Sequence, residues 1–474
     1  MSRYDAIIIG SGQGGNPLAH KLADAGEHVA LIERDHLGGS CINYGCTPTK
    51  TMIASGRVAA TIREAAAYGI HTSDPSINMA EVVARKNRIV KQWRDGQQAQ
   101  VDKRSSLDLF RGSARFVGPH SVVVDDETLE SDRIFIDTGT RARVPEIDGL
   151  DKTDPDRILT NKSILDLTEI PDQLIVLGGS YIGLEFGQLF RRLGSGVTVV
   201  ERNERIIARE DADITDALQD ALESEGMKFF TGARVKSFMH RQPSSDAGAS
   251  LPIVLAIDDS RGNEIELEAS HVLLAVGRTP NTDDLDLEAA GVTTDDHGYI
   301  EVNDRLETTV PGIWALGDVK GGPAFTHISY DDHLVILNNL QGTERDDAST
   351  DSIEGRIVPY ALYTEPELGR VGLTEAQARE AGHRLKVGSI PMSHVARAVE
   401  SGQTAGLMKV VIDADTDQIL GAAILGPHGG ELVQTLMTLM LVDAPWTKLK
   451  RAVFIHPTLT EGFFGLMESV SEKR

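Results

Sequence analysis

The chain has 474 residues, 47 of them Lys or Arg and 71 Asp or Glu, for a formal net charge of −24. At about 100–200 residues per domain the length suggests roughly two to four domains. The 41% hydrophobic and 25% charged residues exclude wholesale disorder and collagen-like repeats. Nucleic acid and anionic membranes repel an acidic protein, so neither is expected as a partner; the charge itself fits a well-solvated surface and a salt-adapted host equally. No apolar run approaches the ~18–20 residues of a membrane span, and the N-terminus shows no basic-then-apolar leader, so a cytoplasmic protein is expected. The only cysteines are Cys41 and Cys46. They are too few for a secreted disulfide scaffold, and their spacing points to chemistry.

In chain order, residues 4–10 read as a strand, followed by a glycine-rich turn, a helical pattern through Leu18, Leu22 and Ala23, and a strand over 28–33. This is a βαβ unit, and a second one recurs at 173–178, 185–193 and 197–201. The runs 134–139 and 271–277 each end in a glycine, Gly139 and Gly277, and read as strands that close a dinucleotide domain and hand the chain on. A further strand and turn at 312–318 makes the first domain discontinuous. Segment 241–251, rich in Ser, Ala and Gly, reads as a hairpin loop without chemistry, and 341–355 as a polar linker. Alternating strand patterns at 407–413 and 418–425, then a helix near 430–442, indicate an α+β unit at the C-terminal end. The expected fold is α/β, with two Rossmann-like three-layer domains and a C-terminal α+β dimerisation domain. The expected boundaries are 1–150 with a return segment at 281–345, then 151–280, then 346–474.

The first unit contains Gly10-x-Gly12-x-x-Gly15, and Glu33 ends its second strand. Gly10 permits the tight turn, Gly12 lets the backbone approach a pyrophosphate, Gly15 allows close helix–strand packing, and Glu33 accepts hydrogen bonds from a ribose. In the second unit, Gly178 and Gly183 keep their places but Ser180 replaces the middle glycine. Glu201 after the next strand favours a free 2′-hydroxyl, hence NADH; Arg202 and Arg205 beside it would suit a 2′-phosphate, hence NADPH. The reading favours NADH and leaves NADPH open.

The cysteines lie in Gly38-Gly39-Ser40-Cys41-Ile42-Asn43-Tyr44-Gly45-Cys46-Thr47-Pro48-Thr49-Lys50. Pro48 suits a first helical turn, which puts Cys46 at a helix N-terminus, where the dipole favours thiolate. Two buried free cysteines or half of a zinc site would be the plainer readings, but no further cysteine completes a closed zinc site, and no metal centre is expected.

With these motifs in place, the whole chain resembles the class I pyridine-nucleotide–disulfide oxidoreductases, the flavoprotein family of glutathione reductase, dihydrolipoamide dehydrogenase and mercuric reductase. The resemblance implies FAD on the first glycine turn and a nicotinamide nucleotide on the second. It implies that Cys46 forms the charge-transfer complex with the flavin while Cys41 exchanges with substrate. Lys50 and Glu185 match a pair beside the flavin ring, and Asp318 matches the acid that holds the ribityl chain. His456 and Glu461, in His-Pro-Thr-Leu-Thr-Glu, match the general base and its orienting acid. In relatives that histidine serves the other subunit, so a homodimer with shared sites is implied.

The departures narrow the branch. Residues 467–474 carry no cysteine pair, so ordinary Hg(II) turnover and large thioredoxin reductase activity are not expected. The chain looks most like the mercuric-reductase-like branch that includes reactive-chlorine-resistance flavoproteins. The expected activity is NAD(P)H-driven reduction of a small molecule: a disulfide, a reactive oxidant or a metal ion. Dihydrolipoamide dehydrogenase, running the relay towards NAD+, and a flavin-binding sensor without turnover are the alternatives.

Overall fold

The computed structural model describes residues 2–240, 253–342 and 351–473. It is a mixed α/β protein whose described residues fall into two compact units. One comprises Met1–Met52, Ala80–Arg143 and Gly277–Arg356; the other comprises Ile53–Met79, Val144–Val276 and Ile357–Arg474. Among the described residues no helix is long and apolar enough to cross a membrane.

The first unit is built on a parallel five-stranded sheet, ordered Ile313–Ala315, Ile134–Ile136, Ala6–Ile9, Val29–Glu33, Leu107–Arg111. Its strands are near-continuous apolar runs because both faces are covered. Ala6, Ile8, Leu31 and Phe135 pack into the core under helices Gly15–Asp24 and Thr326–Gln341, while Ile7, Ile9, Ile32, Ile134 and Ile136 pack into a second core. The opposite faces follow from the two-residue period of a strand.

In the second unit a parallel five-stranded sheet runs Ile158–Leu159, His271–Leu274, Gln173–Leu177, Gly196–Val200, Lys228–Phe230; its last four strands repeat the order of the first sheet, while its edge strand Ile158–Leu159 precedes the βαβ unit instead of following it. In both sheets the first βαβ strand lies between its successor and a strand that returns from far along the chain. The chain direction of the connections reverses there, and the crevice at the strand C-termini is where α/β sheets take ligands. Strands Arg234–His240 and Ile253–Asp258 pair antiparallel; the hairpin loop expected at 241–251 between them lies outside the described residues.

The C-terminal sheet has six antiparallel strands, ordered Tyr360–Leu362, Glu367–Gly372, Ile419–Gly426, Leu407–Asp413, Leu385–Pro391, Ser471–Lys473. Leu407–Asp413 and Ile419–Gly426 are buried almost throughout instead of alternating with solvent. Helix Gly429–Leu441 lies close on this sheet; a Cβ at Gly369 would stand 2.1 Å from the Gly429 carbonyl oxygen. The linker expected at 341–355 is only partly described, and its last part is anchored. Asp351 exchanges backbone–side-chain hydrogen bonds with Asn339, and Ile353 N donates to the Asp304 carbonyl.

Candidate redox and dinucleotide sites

The two glycine turns are built alike. Gly10 (φ +103°) and Gly178 (φ +108°) leave their strands in a left-handed conformation, and a Cβ on either would strike the returning strand, 2.2 Å from the Asp137 oxygen and 2.3 Å from the Ala275 oxygen. Gly15 and Gly183 lie as close to the turn itself, with built Cβ atoms 2.4 and 2.0 Å from the Gly10 and Gly178 oxygens. The acid ending the second strand clamps each turn. Glu33 accepts from Ser11 N at 3.0 Å, and Glu201 from Gly179 N at 2.7 Å. Neither N-cap residue supplies a side-chain cap and neither first turn carries an acid, although at the first helix the Asp137 carboxyl accepts from Gly15 N. By contrast, the short helix Glu375–Glu380 has a complete capping box from Thr374 and Gln377. The positive ends left over the turns suit pyrophosphate.

The repeat explains Ser180. A Cβ at Gly12 would lie 2.6 Å from Asp137 Oδ2, and Asp137 is the residue whose place Ala275 takes in the second unit. Losing that carboxylate makes room for a side chain, and Ser180 stands exposed at the turn. Asp137 was not expected from the sequence. It is buried, accepts from Gly15 N at 2.7 Å, and burial, with Asp318 and Asp332 nearby, pushes its carboxyl well above the usual range.

The flavin fits this turn on an observation of the chain itself. Gly39 closes on Gly12, and Gly12 and Gly317 close on the Asp137 carboxyl, with no room for any Cβ: 2.8 Å from Gly39 to the Gly12 Cα, and 2.5 Å from Gly317 to Asp137 Oδ1. The three glycines add no side chain of their own there, as close approach of a dinucleotide requires. Asp318, in the turn Gly317–Lys320, accepts from Thr140 Oγ1 at 3.1 Å. Thr140 in turn receives Arg278 Nε at 2.6 Å, and Arg278 Nη2 donates to the Thr140 carbonyl. Arg278 and Thr140 escaped the sequence reading; the signal was a basic residue directly after Gly277. Gly139 and Gly277 end the returning strands facing open space, an added Cβ meeting nothing within 4 Å.

The cysteine segment turns at Gly38, forms the short helix Gly39–Asn43 carrying Cys41, and then enters the long helix Cys46–Glu64. Cys46 is thus the first helical residue, as expected. Asn43 holds the loop, donating to the Leu37 and Gly39 carbonyls at 3.0 and 2.8 Å while Arg94 donates to its Oδ1. The two cysteines are thiols not joined in a disulfide, Cys46 the more exposed. The hydrogen bond between them, then burial, pushes the Cys41 thiol far up, whereas Thr326 and Lys50 pull it down. Thr326, the first residue of helix Thr326–Gln341, sets its hydroxyl 3.2 Å from Cys46 Sγ. Sequence alone gave no sign of Thr326.

In the other unit, Glu185 is buried and accepts from Tyr363 N at 3.0 Å. His456 is exposed and its Nδ1 meets Glu461 Oε2 at 2.9 Å, the orientation expected of a base held by an acid. Glu201 spends its second oxygen on Asn203 N at 2.8 Å. Arg205 is ion-paired with Asp216, and Arg202 is exposed. Among the described residues no cluster of His, Cys, Asp and Glu forms a metal site.

Two dinucleotide turns, a dithiol at a helix start and a C-terminal antiparallel sheet define the class of flavoprotein disulfide reductases. The chain belongs to the pyridine nucleotide-disulphide oxidoreductase family, whose profile matches residues 4–332, with the family's dimerisation domain at 358–465. It is 35% identical to a dihydrolipoyl dehydrogenase of Thermus scotoductus, over 100% of this chain and 98% of that protein. It is 34% identical to a Staphylococcus aureus mercuric reductase, over 91% of this chain and 76% of that one. Among solved structures it is similar to the Cu(II) complex of the HOCl-induced flavoprotein disulfide reductase RclA of Escherichia coli. That similarity has a TM-score of 0.87 and 32% identity, and covers 99% of each chain. Members of this family are enzymes that use FAD and a nicotinamide nucleotide.

Proposed function

We propose that the chain is a cytoplasmic, homodimeric reductase of small oxidised molecules, driven by a nicotinamide nucleotide, with three domains divided as the sequence suggests. The observation that carries the reading is the Cys41–Cys46 dithiol, hydrogen-bonded within itself and to Thr326 at a helix start.

Residues Gly10, Gly12, Gly15, Glu33, Gly139 and Asp318 would hold FAD, and Gly178, Gly183, Glu201, Arg202 and Gly277 the nicotinamide nucleotide. When bound, FAD supplies two-electron transfer between that nucleotide and the cysteine pair. The chain's own residues manage protons and sulfur. Towards a disulfide acceptor, His456 of a second copy takes the Cys41 proton, and the Cys41 thiolate attacks one substrate sulfur, forming a mixed disulfide. The displaced thiolate takes the proton back from His456. Cys46 then gives up its proton and its Sγ attacks Cys41 Sγ, expelling the substrate sulfur held in the mixed disulfide as a thiolate that takes up that proton, so two electrons pass from the dithiol. Glu461 stabilises the imidazolium in between, and Lys50 and Glu185 serve the flavin and nicotinamide ends.

Glu201, clamped on the turn, and Arg205, already engaged by Asp216, favour NADH over NADPH. The acceptor class favoured is a small oxidant or metal ion, on the likeness to RclA and to mercuric reductase. The likeness to dihydrolipoyl dehydrogenase over the full chain supports the reverse reaction with dihydrolipoamide as the second reading.

Comparative kcat/KM values on the purified holoenzyme test both, with NADH and NADPH each against lipoamide, glutathione disulfide, hypothiocyanous acid, Hg(II) and Cu(II). Preference for the oxidant or metal acceptors with NADH is expected. Dominant lipoamide turnover would transfer the assignment to the second reading, and unchanged turnover in Cys46→Ser would refute the dithiol mechanism.

A further inference from the structure

A buried chain of contacts from Arg370 through Glu210 and Tyr360 ends at Tyr181, in the second dinucleotide turn. Tyr181 is the first residue of helix Tyr181–Leu193, directly after Ser180. Its ring meets that of Tyr360 edge-on, with centroids 5.6 Å apart at 72°, and the two hydroxyls are hydrogen-bonded. Tyr360 Oη donates to Glu210 Oε1. That donation uses its one hydroxyl hydrogen, so Tyr181 is the donor in the Tyr–Tyr bond. Glu210 Oε2 in turn faces Arg370 Nη1 at 3.6 Å, and Arg370 also faces Asp211 at 3.8 Å. The Arg370 side chain is 1% exposed and that of Glu210 is not exposed at all.

Stability alone is a poor reason for such a pair. Desolvating two charges costs more than a long contact returns, and apolar replacements of buried pairs are often neutral. Among the described residues, Arg370 Nη1 and Nη2 and Glu210 Oε2 make no hydrogen bond at all. What the guanidinium does is oppose the burial that raises the Glu210 carboxyl. With Tyr360 Oη donating to Glu210 Oε1, the chain runs one way: Tyr181 to Tyr360 to Glu210.

The loop between Glu201 and Asp211 makes the link to the turn explicit. Glu201 accepts from Gly179 N at 2.7 Å, and Ile207 N donates to the Gly179 carbonyl at 2.8 Å. At its far end, Asp211 accepts from Glu375 N at 3.1 Å and pairs with Lys409 at 3.3 Å. Glu375 and Lys409, like Tyr360 and Arg370, come from the C-terminal part of the chain, so this part holds both the loop and the helix start.

We infer that Tyr360 is a positioning residue for the nicotinamide nucleotide, acting through Tyr181, and that the Glu210–Arg370 pair serves to hold it. The inference rests on the nucleotide reading of the second turn.

The test is calorimetric titration of NAD+ and of NADP+ into the oxidised holoenzyme, with the limiting rate of flavin reduction measured beside it. Tyr360→Phe removes the link and keeps the ring, so the fold is retained. The dissociation constant of the nucleotide that wild type binds is expected to rise about threefold to tenfold, the effect of one hydrogen bond, with the limiting rate within about twofold. Tyr181→Phe should do the same, and the double variant should lose no more than either single one, because the two act as one unit. Glu210→Gln, which leaves both rings in place, should show the same split. An unchanged dissociation constant in Tyr360→Phe, or losses that multiply in the double variant, would overturn the inference. If wild type binds neither nucleotide, the reading of the turn itself falls, an outcome separate from either of these.

Discussion

Thr326→Val isolates one contribution to thiolate chemistry at Cys46. The hydroxyl lies 3.2 Å from Cys46 Sγ, and valine keeps the branched shape while removing the donor. A hydrogen bond to a charged group is worth about 1.5–3 kcal/mol. Sulfur is a weak acceptor and Cys46 is exposed, so solvent screening reduces this to about 1.5 kcal/mol or less. At 1.36 kcal/mol per pKa unit, the loss should weaken the Cys46 thiolate by up to about one pKa unit. The helix start remains, so the thiolate is weakened and not abolished. The assay is the pH dependence of iodoacetamide alkylation in a Cys41→Ser background, where a single thiol reports. Thr326→Ser, which restores the donor, should return the midpoint to within about 0.3 units of the parent. An equal midpoint in the Val and parent proteins would refute the contact as an electrostatic one.

The repeat makes a compensation testable. Gly12→Ser alone should lower flavin content, because its Cβ meets the Asp137 carboxylate, and adding Asp137→Ala should restore part of it, read from flavin absorbance per chain. Asp137→Asn tests the buried carboxyl. Its folded pKa is raised, so its contribution is fully present below about pH 4 and is lost as pH rises towards the folded value; the stability of the Asn variant relative to wild type should therefore grow with pH in thermal melts. His456→Gln should lower turnover about 10²–10³-fold as a lost proton carrier. Mixing His456→Gln with Cys46→Ser subunits should regain about a quarter of wild-type activity if each site is shared by two chains; no recovery would place the base in its own subunit's site.

Much of this molecule was legible because its signals are local. Runs such as Ala6–Ile9 and Gln173–Leu177 are apolar along their whole length because both faces are covered, and the glycines after them mark turns that only a bare backbone makes. Cys46 at a helix start followed from Pro48 two positions on. The strand read at 407–413 is present, but the burial of nearly every residue along it was not legible from its pattern. The tail of the expected linker is tied down by Asn339 and Asp304, contacts that composition does not reveal.

The sequence by itself determined the two βαβ units, the dithiol and the family, since these depend on residues within a few positions of each other. The tertiary structure decided which distant groups meet them. Thr326 reaches Cys46 across 280 positions, Arg370 reaches Glu210, and the exchange of Asp137 for Ala275 makes room for Ser180. Such pairings are set by which strand returns beside which, a property of the packed sheet that no local pattern encodes.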